Sequence, residues 1–159
     1  LRGNVETRLA KVADGTVDAT LLAAAGLDRL GIDAGTAIDL DTLLTAPGQA
    51  AIGVECRAAD ARVIALLEAV NHPATFDCVT AERAFTRALG GSCASPIAAL
   101  ATLESDGLRL TAEIYSVDGR DSVREEIRIA RGDMDVPAGL AQAMLAGAPQ
   151  SITTLFEVS

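Results

Sequence analysis

Apolar positions recur along this chain in more than one rhythm, and the rhythm changes near its middle. In "RGNVETRLAKV" a Gly3-Asn4 turn precedes Val5, Leu9 and Val12, which share one face of a predicted helix. The run "VDATLLAAAGL" (17–27) is continuous rather than periodic. It predicts a short strand buried on both faces of a parallel sheet, with "GLDRLG" adding one or two helical turns after it. "TAIDL" (36–40) predicts a second strand. "TAPGQAAIGVECR" (45–57) opens on the Pro47-Gly48 turn signal and passes into an extended stretch around Ile52 to Cys56.

Beyond this point the helical period dominates, then alternation. "DARVIALLEAV" (60–70) is amphipathic with Asp60 placed as its N-cap, and "TFDCVTAERAFTRAL" (75–89) is a longer helix. Three strands follow in hairpin order: "PIAALATLE" (96–104), "LRLTAEIYSV" (108–117) and "SVREEIRIAR" (122–131), joined by turns at Asp106-Gly107 and Asp118-Gly119. "DVPAGLAQAMLAGA" (135–148) is a closing helix with Pro137 in its first turn, and "SITTLFEV" is a further short one. The fold class expected is therefore an α/β partial domain followed by an α+β domain, the latter a three-stranded antiparallel sheet covered by helices on one face. Boundaries are placed at 1–46 for the α/β part, 47–73 for a hinge or crossing segment, and 74–159 for the α+β domain. The opening on Leu1 directly before a helix reads as a domain entered part-way.

Composition narrows the classes. Half of the 159 residues are apolar, enough for a sizeable core, and no run of about eighteen uncharged apolar residues offers a membrane span. A net charge of −9 argues against nucleic acid and anionic lipid as partners. Cys56, Cys78 and Cys93 stand far apart, with His72 the single histidine, which supports neither a zinc site nor a disulfide framework. The expectation is a soluble protein with reduced thiols. Of the 13 basic residues only Lys11 is a lysine. Arginine's planar fork suits bidentate carboxylate binding, while a codon-level preference for arginine explains the bias equally well.

Three blocks, "RGNVETRLAKVADGTVDATLLAAAGLDRLG", "PGQAAIGVECR" and "AERAFTRALGGSCASPIAA", resemble in order and spacing the second half of the hydroxymethylbilane synthase family, also called porphobilinogen deaminase. The resemblance covers the whole chain. It implies a cytoplasmic, three-domain enzyme, a monomer when full length, in which four porphobilinogen molecules are joined head to tail with loss of ammonia to give a linear tetrapyrrole. Its first two domains would resemble periplasmic binding proteins, so that residues 1–46 belong to the second of them. Porphobilinogen and the growing polypyrrole are the implied partners.

The same resemblance assigns residues. Cys93, ten positions after Arg83 and followed by Pro96-Ile97, matches the cysteine that carries a dipyrromethane cofactor through a thioether. A thiol suits that task, being a soft nucleophile that captures an electrophilic methylene in a bond stable to hydrolysis. Arg2 and Arg8 of RGNVxTR and Arg29 of "AGLDRLG" match arginines that bind the acetate and propionate groups of cofactor and product chain. Each added ring brings two carboxylates, which suit cations that never deprotonate. Gln49 falls on a crossing strand beside the cleft, either as a polar contact to cofactor or as part of a linker. Where the family commonly has two glycines before the cysteine, this chain has Gly91 then Ser92. Were that position left-handed, serine would cost roughly 1 kcal/mol. Ala50 likewise replaces a usual glycine.

The family's catalytic aspartate lies in its first domain. Neither Asp28 nor Asp41 matches its motif, so no catalytic residue and no metal ligand is assigned in this chain. Cys56 and Cys78 are expected in the core, on a strand and a helix, His72 as a cap or surface residue, and Arg124, Glu125 and Glu126 on a solvated strand face. A non-catalytic α+β binding or interaction module with an unmodified thiol is the competing reading; an intact mass separates the two.

Overall fold

A computed structural model describes residues 1–92 and 94–156. The chain divides into two compact units, Leu1–Thr42 and Leu43–Ser159.

In the first unit, α1 spans Val5–Ala13 and α2 spans Ala24–Leu30. Asn4 caps α1, its side chain accepting from Thr7 N–H at 2.9 Å, and Gly31 ends α2 at φ +65°. Gly26 of α2 stands over α1, where a Cβ would come within 3.9 Å of a Val5 methyl. No residue from 1 to 42 is buried. The strands predicted within 17–27 and 36–40 are absent: residues 17–23 lie outside any ladder, and the last third of the apolar run enters α2. A strand must satisfy its backbone N–H and C=O groups on a neighbour, and no strand pairs in this unit. The alanines at 23–25 then follow their helical preference, and Leu21 is left 66% exposed.

In the second unit, α3 is Ala61–Glu68, α4 Pro73–Ala88, β1 Ile97–Glu104, β2 Gly107–Tyr115, β3 Ser122–Ile129, α5 Asp135–Gly147 and α6 Gln150–Thr153. Asp60 caps α3 through Val63 N–H at 3.1 Å, and His72 caps α4 through Thr75 N–H at 3.3 Å, with Pro73 opening the helix. The strands form an antiparallel sheet in the order β1-β2-β3, in the α+β arrangement the alternation predicts. Glu104 pairs with Gly107, so the first hairpin turns on Ser105-Asp106, one residue earlier than expected, and Gly107 already belongs to β2. A Cβ on Gly107 would collide with the Ile129 carbonyl oxygen. The second hairpin is longer, with Tyr115 opposite Ser122 and Gly119 at φ +69° in its loop.

Register decides the core. Leu108, Leu110, Ala112 and Ile114 share one face of β2, with Ile97, Ala99 and Ala101 beside them on β1 and Ile129 on β3. Onto that face pack Ala81, Phe85 and Leu89 of the α4 end, Ala141 and Met144 of α5, and Ile152 of α6. Phe85 is fully buried, a contribution of about 2 kcal/mol. The opposite face carries ion pairs instead: Arg109 between Glu104 and Glu126 at 3.4 and 3.6 Å, and Arg124 on Glu113 at 3.5 Å. Arg124, Glu125 and Glu126 are all exposed, as the sequence suggests.

Cys56 departs from expectation. It is exposed and on no strand, because the stretch from Ile52 to Cys56 has no ladder partner among the described residues; Ile52 itself is 93% exposed. Helix α3 buries none of its residues. Cys78 does pack against the core, from its place on α4.

Candidate functional site

The RGN turn is built by glycine. Gly3 sits at φ +120°, and a Cβ there would press on Thr7. The turn brings the Gly3 carbonyl back to Arg8, whose Nε donates to it at 3.0 Å. Arg8 is half-buried; Arg2 and Arg29 are exposed, Arg29 in the last turn of α2 where the helix dipole favours a cation. Among the described residues none of these three arginines forms an ion pair with a carboxylate, nor do Arg62, Arg83 and Arg87, whereas Arg57, Arg109, Arg120, Arg124, Arg128 and Arg131 all do. The first unit thus carries the three predicted arginines on and beside its two helices. Gln49 stands in the second unit.

Cys93 lies outside the described residues. Its neighbours show why the sequence around it reads as it does. Gly90 is left-handed at φ +71° and ends α4, with Gly91 N–H donating to Thr86 O at 3.1 Å. At Gly91 a Cβ would meet the δ-methyl of Ile97, which would have to shift to make room for it. Ser92 is not left-handed, so the strain considered for a serine at this position does not arise. Its hydroxyl accepts from Ala94 N–H at 3.2 Å, and its own N–H donates to Ser95 Oγ at 2.9 Å.

Gln49 sits in two consecutive turns, with Gln49 N–H donating to Ala46 O at 3.1 Å and Ala51 N–H to Gly48 O at 3.2 Å. Gly48 is at φ +72°, and Ala50, at φ +63°, is the one non-glycine residue among those described with positive φ. That conformation costs an alanine roughly 1 kcal/mol. Beside the turns opens a cleft of about 360 Å³ lined by Gln49, Ala51, Thr75, Cys78, Glu82 and Leu100.

Sequence reasoning passed over Glu82, the middle residue of "AER". It is 5% exposed, and its carboxylate accepts from Gly48 N–H at 2.7 Å through Oε2 and from Ala101 N–H at 2.8 Å through Oε1. Burial pushes its carboxyl above the ordinary range, against the two N–H donors and Arg83, which pull it down. Burial also raises the Cys78 thiol, and the nearby Glu82 carboxylate adds to the rise, so Cys78 is a poor nucleophile. An acid amid Ala81, Ala84 and Phe85 on the apolar face of a helix was the available signal.

Two family models match the chain. Residues 1–65 match the dipyromethane cofactor binding domain of porphobilinogen deaminase, and residues 76–146 match its C-terminal domain. A porphobilinogen deaminase of Sphingopyxis alaskensis is 54% identical over 158 residues, covering 98% of this chain and 50% of that protein. That of Moorella thermoacetica is 51% identical over 152 residues, covering 92% and 48%, and that of Xanthomonas oryzae pv. oryzae 45% over 159 residues, covering 98% and 52%. The chain spans about half the length of the curated relatives it matches.

Proposed function

We propose, because the chain belongs to the porphobilinogen deaminase family, that it contributes the cofactor-carrying half of a hydroxymethylbilane synthase. The reaction is the head-to-tail condensation of four porphobilinogen molecules with loss of ammonia. The reading rests above all on the two family matches, which follow one another in order over 136 residues, 1–65 and 76–146.

Within this reading Cys93 holds a dipyrromethane through its sulfur. The dipyrromethane supplies the primer from which the polypyrrole grows. Arg2, Arg8 and Arg29 bind its acetate and propionate groups and those of the product chain. The fit is chemical: three guanidiniums without a carboxylate of their own among the described residues are a suitable donor set for a ligand bearing several carboxylates. Gln49 adds a polar contact from the crossing segment. The finer organisation follows the family: residues 1–46 as part of a periplasmic-binding-protein-like second domain, 47–73 as the crossing segment and 74–159 as the C-terminal domain. The catalytic acid belongs to the first domain, so this chain alone is inactive. Among the described residues no helix is long and apolar enough to cross a membrane; a cytoplasmic monomer, with no role for nucleic acid, completes the reading.

The test uses the chain made together with the N-terminal half that its relatives carry. Acid treatment with an aldehyde reagent for pyrroles gives colour, Cys93→Ser abolishes it, and Cys56→Ser and Cys78→Ser keep it. Colour surviving in Cys93→Ser, or an intact mass showing a bare thiol in the parent protein, overturns the assignment in favour of a non-catalytic module.

A further inference from the structure

We propose that Glu82 is a positioning residue for Gln49: its single carboxylate ties residues 43–51, the middle of α4 and the outer edge of β1 into one junction, fixing the backbone on which Gln49 stands. The inference rests on the reading of Gln49 as a cofactor contact.

β1 is the edge of the sheet, and alternate amides on its side away from β2 need acceptors. Ala99 N–H finds the Thr45 carbonyl at 3.0 Å, and Ala101 N–H finds Glu82 at 2.8 Å. The second oxygen of that carboxylate takes Gly48 N–H at 2.7 Å. Residues 45 and 48 are thereby held along β1 from two sides. Gly48 adjoins Gln49, and on its far side Ala50 keeps a left-handed conformation that an unrestrained alanine leaves.

An ionised carboxylate accepts from both amides at full strength, one with each oxygen. A glutamine in its place has one oxygen and one amino group, so one of the two amides loses its acceptor. Few charged or titratable groups face Glu82. Arg83 and Cys78 do so from its own helix, while residues 43–51 contain none and β1 contains only Glu104 at its far end.

NMR on the chain as it stands tests the tie. The Gly48 and Ala101 amides are expected to resist exchange and to shift together through one titration, that of Glu82. In Glu82→Gln, exchange at Gly48 or at Ala101, whichever amide loses its acceptor, is expected to rise about ten- to hundredfold, while Leu110 and Ile114 keep theirs. A Gly48 amide that exchanges without protection in the parent chain, or Gly48 and Ala101 both unchanged in Glu82→Gln, overturns the proposal. Should Glu82→Gln fail to fold, the parent titration decides alone: two amides without a common transition refute the tie. The link to Gln49 is read in protein made with the preceding half. Glu82→Gln and Gln49→Ala are each expected to slow turnover, and the double variant no more than the slower of them. Full additivity overturns the positioning role. A silent Gln49→Ala with the amide results intact overturns it too, but locates the failure in the reading of Gln49.

Discussion

Arg131 closes on Asp77 with two nitrogens, Nε and Nη2, each 2.6 Å from Asp77 Oδ2. The pair joins Arg131, two residues beyond β3, to the first half of α4. Asp77 is mostly covered and Arg131 half-exposed, so solvent screens part of the attraction. Asp77→Asn is expected to lower stability by about 0.5–1 kcal/mol. Urea unfolding of Asp77→Asn, Arg131→Gln and the double variant measures it; effects that simply add mean the pair contributes nothing.

Tyr115 is the only tyrosine, and the chain has no tryptophan, so phenolate absorbance reports this residue alone. Burial, then a hydrogen bond with Glu113 and that residue's negative charge, pushes its phenol up to about 12. The folded state binds the proton more tightly than the unfolded state, which titrates near 10. The resulting stabilisation is fully present below pH 10 and is lost as pH rises from 10 toward 12. A midpoint near 10 in the folded chain contradicts the geometry. Glu113→Gln should move the midpoint down only part of the way, because burial, the larger cause, persists.

Ala50 should prefer to be glycine. Its φ of +63° lies where an L side chain is strained, so Ala50→Gly is expected to stabilise the second unit by about 0.5–1 kcal/mol. Thermal or urea unfolding decides; a loss of stability shows that the alanine methyl contributes packing beside the cleft that outweighs the strain.

What could be read ahead of the structure followed from interactions a few residues long. Asn4, Asp60 and His72 cap their helices because a side chain three residues away from an amide can reach it. The three strands were legible because alternation along each one survives pairing with its neighbour. The strands predicted within 17–27 and 36–40 failed for the converse reason: an apolar run becomes a strand only beside another strand, and Leu1–Thr42 offers none. Cys56 failed with them. Glu82 was hidden because its partners, Gly48 and Ala101, lie 34 and 19 residues away and are backbone amides, which any residue type supplies. The arginine assignments came from family resemblance, since nothing local distinguishes Arg8 from a surface arginine beyond its bond to Gly3.

That bond sharpens what Arg8→Lys should do. Lysine keeps the charge but loses both the fork and the Nε donor to the Gly3 carbonyl. In protein made with the preceding half, turnover is expected to fall about tenfold or more, the scale of losing one charge-assisted bidentate contact. Circular dichroism should leave the helix content intact. Full turnover in Arg8→Lys makes Arg8 a local turn-closing residue and nothing more.

The two units should differ sharply in local stability. Residues 1–42 contain no buried position, and α1 and α2 are nine and seven residues long, below the length at which an isolated helix holds in water. Residues 81–114 include Phe85, Leu108, Leu110 and Ile114, all fully or almost fully buried in one core with Met144 and Ile152. Opening free energies follow that burial. Native-state hydrogen exchange on the chain as it stands should therefore find rapid amides throughout α1 and α2 and the slowest ones in β2, with Leu110 and Ala112 among them. A core substitution sets the scale: Phe85→Ala should destabilise the second unit by about 3–5 kcal/mol and speed β2 exchange, leaving that of α1 and α2 unchanged. Equal protection in α1 and β2, or a parallel loss in both on Phe85→Ala, means the two units fold as one and refutes the contrast.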